Sequence, residues 1–283
     1  MKCADLHFHT THSDGKHSVA QLVDWLKAQQ KSGLSLGVLT DHDGVFGFEE
    51  FSEATKKWWP SLCASELSCG FKDPQTNEER ECHLLVYGLD PKDSNLIGLF
   101  QKFREARRNR FFKICDKLKE KGMVIDAEKI AREHPGSLGR PHIADALVEL
   151  GAVQSRNEAF EKYLKSDRPF VVAKWRLPLE EAMSVAKKMG AKASIAHPGQ
   201  YGFELPQLSY FRDIGVDAIE IFHPRHDAEK TQHYLELSHK MGFKRSGGSD
   251  FHTRETDLCN GLPSLGQTQY ALEEAKAFLG DLI

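Results

Sequence analysis

The sequence predicts an α/β protein in which short strands alternate with helices around a parallel sheet or barrel, interrupted by a mainly helical insertion. Three observations support this fold class: β-type runs alternate with helical patterns at both ends, the middle shows helical periodicity with almost no strand signal, and a His, Asp or Glu lies at the end of nearly every predicted strand. Such alternation is typical of parallel sheets and barrels. A length of 283 residues suits one large domain or a core domain with an insertion.

The N-terminal part is predicted to contain four strands and one well-delimited helix. Ser18 is the expected N-cap of the helix over 18–31, Gln21 stands in the capping-box position, and Gly33 follows the end. The strands are predicted over residues 3–8, 34–39, 61–67 and 82–87.

The C-terminal part repeats the alternation. Strands are predicted over 191–196, 217–222 and 243–246, with helices over 179–189 and 228–241. The chain therefore divides into a barrel domain, residues 1–95 and 171–283, and a helical insertion, residues 96–170, which we expect to form a lid or substrate domain.

Charge is distributed unevenly along the chain. Residues 100–132 contain 11 Lys or Arg and 5 Asp or Glu, a net charge of +6, so the other residues sum to −9 within a formal total of −3. Two interpretations stay open for this stretch: a solvated helix face, or an insertion that faces phosphate. The overall composition, 40% apolar and 28% charged, excludes a long disordered or collagen-like protein.

Sorting signals and membrane-spanning runs are not evident. The N-terminus has no apolar segment of the secretory type, and no apolar run reaches the roughly 18 residues that a span needs. The six cysteines are scattered without a C-x-x-C pair, which favours free, mostly buried thiols. We therefore expect a cytoplasmic protein with no membrane contact and no obligate protein partner.

The pattern of histidines and carboxylates points to a metal centre. His7 and His9 are two apart at the end of a strand, so both side chains lie on one face and can reach one ion. In a parallel barrel, the loops at the carboxyl ends of the strands meet at one rim. The other candidate ligands at this rim are Asp14, His42, Glu66, His83, His197, Asp250 and His252.

Taken together, these motifs resemble those of the PHP (polymerase and histidinol phosphatase) family within the amidohydrolase superfamily. The motifs are His7-x-His9 with Asp14, Thr40-Asp41-His42, Glu66, His83, His197 and Ser249-Asp250-Phe251-His252. The resemblance implies a distorted (β/α)7 barrel with a two- or three-metal centre. It implies one ion on His7, His9, Glu66 and Asp250, a second on Glu66, His83 and His197, and a third on Asp14, His42 and His252.

The insertion is similar to that of one bacterial PHP branch, through Arg104-x-x-Arg107-Arg108 and the segment LGRPHIA at residues 138–144. This resemblance implies a phosphatase that removes the 3′-phosphate of nucleoside 3′,5′-bisphosphates and trims short RNA from the 5′ end. A small phosphorylated substrate, a nucleotide or short oligoribonucleotide, is the expected partner. The candidate substrate residues are Arg140, His142, Arg225 and His226. Arg140 has an alternative interpretation as an exposed residue at a helix start.

The ligand set contains imidazoles and carboxylates but no thiolate, which suits Mn, Zn or Fe. The resemblance favours Mn, with two to three ions per chain. His223 is the candidate catalytic residue, as a phosphate contact or proton donor, with a capping or supporting role as the alternative. Asp41 and Asp43 are expected to orient ligand imidazoles.

Other functions stay open. A histidinol-phosphate phosphatase or another small-molecule phosphatase would use the same barrel. C–N hydrolysis and a non-catalytic module of the polymerase type are further alternatives, although the complete ligand set and the arginines disfavour both.

Overall fold

The barrel wall is formed by two groups of strands. The computed structural model describes residues 2–134, 136–165, 167–253 and 265–283. Within these residues, β1 pairs with β2 in parallel, and the second group has the order β5-β3-β4-β6-β7-β8. The strands are β1 (Cys3–Asp5), β2 (Leu34–Gly37), β3 (Ala64–Lys72), β4 (Glu79–Tyr87), β5 (Leu177–Pro178), β6 (Lys192–Ile195), β7 (Ala218–Phe222) and β8 (Lys244–Gly247).

Contacts beyond the strand ends close the two groups into a ring. Phe8 forms a parallel bridge with Phe251, next to a bond from the Leu6 amide to the Gly247 carbonyl at 3.1 Å, so β1 lies beside β8. His42 forms a parallel bridge with Glu66, which joins the β2 side to β3. The predicted distorted (β/α)7 barrel is thereby confirmed, with short β5 pairing against the outer part of β3.

Close approach at the β1–β8 seam requires a glycine. A Cβ atom on Gly248 would lie 2.3 Å from the Cβ of His7 and 2.5 Å from the His7 backbone nitrogen. Any larger residue would therefore push β8 away from the strand that carries His7 and His9.

The prediction that all strands run parallel is wrong for β4. This strand is antiparallel to both β3 and β6, because residues between Lys72 and Glu79 form a tight hairpin turn. Asp73 stabilises the turn by accepting bonds from the amides of Gln75 and Thr76. The expected end of the third strand at Leu67 is also wrong, since β3 continues to Lys72, which places Glu66 near its start.

Helices surround this wall and confirm the main sequence predictions. The first helix, α1 (Val19–Gln29), has the expected capping box from Ser18 and Gln21, and Gly33 ends the following turn with φ 110°. The other barrel helices are α2 (Phe48–Thr55), α7 (Leu179–Lys188), α8 (Pro198–Tyr201), α9 (Leu205–Asp213), α10 (Ala228–Met241) and a last helix, α11 (Leu272–Leu279).

The insertion between β4 and β5 contains α3 (Ser94–Lys119), α4 (Ala127–Glu133), α5 (Arg140–Glu149), α6 (Arg156–Ala159) and a π-helical turn, Phe160–Leu164. The first half of α3 packs on the barrel core through Leu96, Phe100 and Phe103. Its second half joins a separate apolar cluster that is built entirely from insertion residues. A single long helix thus connects the insertion to the barrel. The limits of the insertion, residues 96–170, stay a prediction.

Two sequence expectations concern the chain as a whole. None of the helices in the described ranges is long and apolar enough to cross a membrane. Five of the six cysteines are free thiols, as predicted, and Cys259 lies outside the described residues; the five are Cys3, Cys63, Cys69, Cys82 and Cys115.

A buried ion pair fastens the insertion to the barrel rim. Arg107 on α3 donates from Nε to Asp43 at 2.6 Å, and its Nη2 contacts Asp43 and the Ser68 hydroxyl. We expect Arg107→Met to lower the free energy of unfolding by about 3 kcal/mol, because it leaves a buried carboxylate unpaired. Urea denaturation measures this change. Arg104→Met, on the exposed side of the same helix, is the control, and equal stability of the two variants would contradict the role of the pair.

Candidate metal centre

Four side chains form the tightest group at the barrel mouth. The Nε2 atoms of His7 and His9 are 3.1 Å apart, and each lies 3.3 Å from Glu66 Oε2 and 3.3 Å from Asp250 Oδ1. In a tetrahedral site with bonds of about 2.0–2.1 Å, the ligand atoms are separated by about 3.3–3.4 Å. Five of the six distances among these four atoms are therefore close to the edge of a metal-coordination tetrahedron.

The two carboxylate oxygens of Glu66 face two different groups of histidines. Oε2 faces His7 and His9 and also lies 3.0 Å from His42 Nδ1. Oε1 lies 2.7 Å from His83 Nδ1 and 3.0 Å from His197 Nε2. A carboxylate with this arrangement can bridge two ions.

A third group lies beside the first. Asp14 places one oxygen 3.2 Å from His252 Nε2 and the other 3.8 Å from His42 Nε2. The ring of His9 stacks on His252 at 4.2 Å, so His9 faces both the first and the third group. All nine residues predicted as ligands are thus brought together in one cluster. The additional approach of His42 to Glu66 and His83 was not predicted.

The charges and the free atoms of this cluster fit divalent cations. Burial would raise the pKa of Glu66, but His42, His83 and His7 hold that pKa well below its usual value, so the carboxylate is ionised. Burial lowers the pKa of His42 to about 3, which leaves a neutral ring with a lone pair to donate. Several buried atoms make no hydrogen bond: Nδ1 of His9, His42 and His197, Oδ1 of Asp14 and Oε2 of Glu66.

Comparisons with known proteins agree with this geometry. The chain is 29% identical over 259 residues to a 3′,5′-nucleoside bisphosphate phosphatase from Chromobacterium violaceum, covering 89% of this chain and 88% of the relative. It is 29% identical over 255 residues to a 5′-3′ exoribonuclease from Haemophilus influenzae, covering 88% and 89%. No family model matches the chain.

Solved structures extend the similarity to the whole fold. A protein from Bifidobacterium adolescentis that is named a metal-dependent phosphoesterase superimposes with a TM-score of 0.83 at 25% identity, covering 98% of this chain and 95% of that one. An amidohydrolase from Chromobacterium violaceum superimposes with a TM-score of 0.82 at 27% identity, covering 96% and 92%. These similarities are consistent with the PHP family, which the ligand motifs resemble. The chain is a metal-dependent phosphoesterase.

A buried carboxylate that was not singled out from the sequence orients His7, the first of the predicted ligands. Glu220 on β7 lies 2.9 Å from His7 Nδ1, and its second oxygen accepts the His197 amide at 2.7 Å. A carboxylate behind a ligand imidazole fixes the ring orientation and the tautomer. The only sequence signal was a charged residue within an otherwise apolar strand.

The expectation that Asp41 and Asp43 orient ligand imidazoles is wrong. Asp41 accepts bonds from the Thr10 amide, the Thr10 hydroxyl and the Ser13 hydroxyl, so it holds the loop before Asp14. Asp43 binds Ser68 and Arg107. Both carboxylates therefore hold loops and side chains at the rim of the barrel, and their hydrogen bonds do not go to a ligand ring.

Strained backbone is concentrated at this rim. Within the described ranges, four non-glycine residues have positive φ, and three belong to the site or its border: Asp43 at 53°, His197 at 32° and Asp250 at 48°. Left-handed conformations of such residues cost of order 1–3 kcal/mol each and persist where surrounding contacts enforce them. Here these conformations direct the side chains of His197 and Asp250 toward the other candidate ligands.

His223 lies at the edge of the centre, almost fully buried. Its Nδ1 accepts the Arg225 amide at 3.1 Å, so in the neutral ring Nε2 carries the proton. That Nε2 lies 3.2 Å from Asp250 Oδ2 and 3.5 Å from Gln200 Nε2. Exposed Arg225 contacts the Gln200 side-chain oxygen at 3.4 Å.

Two of the predicted substrate residues have structural bonds instead. His226 donates from Nδ1 to the Ile221 carbonyl at 2.9 Å and accepts the Gly199 amide at Nε2, so neither ring nitrogen is free. His142 accepts the Gly139 amide at Nδ1 and caps the start of α5, with its ring against His134. Neither ring nitrogen of His226 is therefore available to a substrate, and Nδ1 of His142 is not available either.

A group of positively charged side chains, the cation-rich wall, lies next to His83. Arg107, Arg110, Arg140, Lys174 and Arg176 are close enough to perturb one another, and Glu81 and Asp43 are the carboxylates among them. Burial, followed by repulsion from Arg140 and Arg107, lowers the pKa of Arg110 to about 10. This part of the mouth therefore carries an excess of positive charge that an anion would relieve.

Proposed function

We propose that this chain hydrolyses the 3′-phosphate of nucleoside 3′,5′-bisphosphates and also trims short RNA from its 5′ end. The names of its relatives support both substrates. The observation that carries the proposal is the contact between the three-part cluster of ligands and the cation-rich wall, where Lys174 Nζ lies 3.4 Å from His83 Nε2. The similar amidohydrolase structure contains sulfate, a tetrahedral oxyanion like phosphate.

The proposed centre holds two to three Mn ions. The first would be bound by His7, His9, Glu66 and Asp250, the second by Glu66, His83 and His197, and the third by Asp14, His42 and His252. Grouping of the ligand atoms supports the first and third sets, and the contacts of Glu66 Oε1 with His83 and His197 support the second. The mixture of imidazole and carboxylate suits Mn, Zn or Fe, and the resemblance favours Mn. When bound, such ions supply Lewis-acid charge and a water of lowered pKa.

The chain's own residues would handle the leaving group. His223 holds a proton on Nε2, and the Asp250 carboxylate at 3.2 Å keeps that proton in place. We assign His223 a hydrogen bond from this N–H to the departing ribose oxygen, which stabilises the negative charge that develops there, while water supplies the proton of the product hydroxyl. Gln200 and Arg225 lie on the same side and would bind the nucleotide.

Arg140 is proposed to bind the phosphate that is not cleaved. Its Nη1 donates to the Leu164 carbonyl at 2.9 Å, and its guanidinium lies over Phe160, with 5.6 Å from Cζ to the ring centroid. This half-buried anchoring fixes the guanidinium within the cation-rich wall. A planar fork held in this way suits phosphate oxygens.

Phosphate release from a substrate panel tests the proposed function. Protein loaded with Mn is assayed with adenosine 3′,5′-bisphosphate, AMP, histidinol phosphate and a 5′-phosphorylated RNA oligomer. We expect the bisphosphate to have the highest kcat/KM and the RNA to be shortened from the 5′ end. Preference for histidinol phosphate would reject the proposed substrate class.

Arg140→Ala tests the phosphate contact. We expect kcat/KM for the bisphosphate to fall about 10- to 150-fold, the equivalent of a charged hydrogen bond of roughly 1.5–3 kcal/mol, with little change for AMP. Steady-state kinetics of the two substrates provide the comparison. An equal loss on both would place Arg140 at the cleaved phosphate, and no loss on either would make it a packing residue.

A further inference from the structure

A second carboxylate lies behind a ligand ring, on the opposite side of the centre from Glu220. His83 presents Nδ1 to Glu66, and its Nε2 lies 3.4 Å from Glu81 Oε1. Glu81 precedes His83 by two residues in β4, so the two side chains lie on the same face of the strand. Glu81 is therefore in place to accept the Nε2 proton of His83.

Two cations from the chain that leaves the insertion hold Glu81. Lys174 Nζ lies 2.9 Å from Glu81 Oε1, and Arg176 Nη2 lies 3.2 Å from Oε2. Lys174 Nζ is also 3.4 Å from His83 Nε2. The ammonium and the ring N–H are both donors, so they share the Glu81 oxygen as acceptor.

The sheet leaves room for this contact. Gly70 lies directly opposite Glu81 in the β3–β4 ladder, and it pairs with Pro178 of β5 on its other side. A Cβ on Gly70 would lie 3.2 Å from Arg176 Cβ and 3.3 Å from its Cδ. The glycine thus provides the space through which Arg176 reaches Glu81.

Charge on this wall is consistent with a supporting role. Burial raises the pKa of Glu81, but bonds from His83 and Lys174 and the charge of Lys174 lower it overall, which keeps the carboxylate ionised. The side chains of Lys174 and Glu81 are only 14% and 28% exposed. These ion pairs are therefore shielded from solvent and restrict the position of the carboxylate.

We propose that Glu81 is a positioning residue for His83, and that Lys174 and Arg176 hold Glu81 in place. By accepting the Nε2 proton, Glu81 leaves the lone pair on Nδ1, the atom that faces Glu66. The exit segment of the insertion would then support the metal centre as well as border the substrate. The inference rests on the proposed role of His83 as a ligand of the second ion.

The test measures Mn binding without substrate. Metal-free wild type, Glu81→Gln, Lys174→Met and Lys174→Arg are equilibrated with Mn at fixed free concentrations, and bound metal is measured. Loss of a carboxylate behind a ligand imidazole weakens metal binding about 10- to 100-fold. We expect that weakening for one ion only in Glu81→Gln and Lys174→Met, and partial recovery in Lys174→Arg. Glu79→Gln, at the exposed end of the same strand, is the matched control.

Each outcome has a separate meaning. Unchanged Mn binding with a raised KM for the phosphate substrate in Lys174→Met would overturn the inference and make Lys174 a substrate contact. Unchanged binding and kinetics would make Glu81 a merely structural ion-pair residue, and also overturn it. If Glu81→Gln does not fold, Lys174→Met decides. A wild type that binds no Mn rejects the proposed function and this inference together.

Discussion

Replacing Glu66 with glutamine should reduce phosphatase turnover about 100- to 1000-fold, the range seen when one electrostatic stabiliser of a transition state is removed. The reason is that Glu66 faces imidazoles with both of its oxygens, His42 on one side and His83 and His197 on the other. A neutral amide cannot offset two closely spaced dications. Phosphate release with saturating Mn measures the effect.

The control for this change is Glu53→Gln, a surface carboxylate paired with Lys56. It should keep full turnover. The circular dichroism spectrum of Glu66→Gln should match that of the wild type, because the strand pairing of β3 does not involve the carboxylate. Near-normal turnover with an intact fold would refute the bridging assignment.

Removal of metal should abolish activity and lower the thermal stability of the protein. A ligand that binds only the folded state adds about 2.7 kcal/mol at a concentration 100 times its Kd. We expect metal analysis to give two to three ions per chain, and His7→Ala, His9→Ala or Asp250→Ala to lose the first. Unfolding temperatures measured with chelator and after addition of Mn provide the second readout.

Two results would contradict this expectation. One is a metal content below one equivalent after reconstitution with Mn. The other is an unfolding temperature that does not respond to chelator or to Mn, since the buried ionised carboxylates of Asp14, Glu66 and Asp250 should be costly to fold without cations.

The meeting of the ligands was predictable because strand geometry is local. Two histidines at i and i+2 must share a face, and strand ends in a barrel must share a rim. His7, His9 and Asp250 therefore came together as predicted, and the (β/α)7 barrel is confirmed. Their roles as ligands stay a prediction.

The supporting residues were less predictable because their roles depend on distant partners. Apart from its place within an apolar strand, nothing near Glu220 in sequence indicates its role, since its partner His7 lies far away in the chain. Asp43 was misassigned because Arg107, its partner, comes from the insertion. The antiparallel direction of β4 was not predicted, because the gap between the predicted strands 61–67 and 82–87 hid the short hairpin turn that joins β3 to β4.

The seam between β1 and β8 also determines when the protein can acquire its metal during synthesis. His7 and His9 leave the ribosome long before Asp250 and His252 do. A nascent chain lacking the final strand exposes half of a chelating set and an unpaired strand edge. Long-range pairing of this kind is slow and leaves partly folded chains prone to aggregation. We therefore expect the first ion to be bound only after β8 has docked, so a chain truncated before Asp250 should fail to retain that ion.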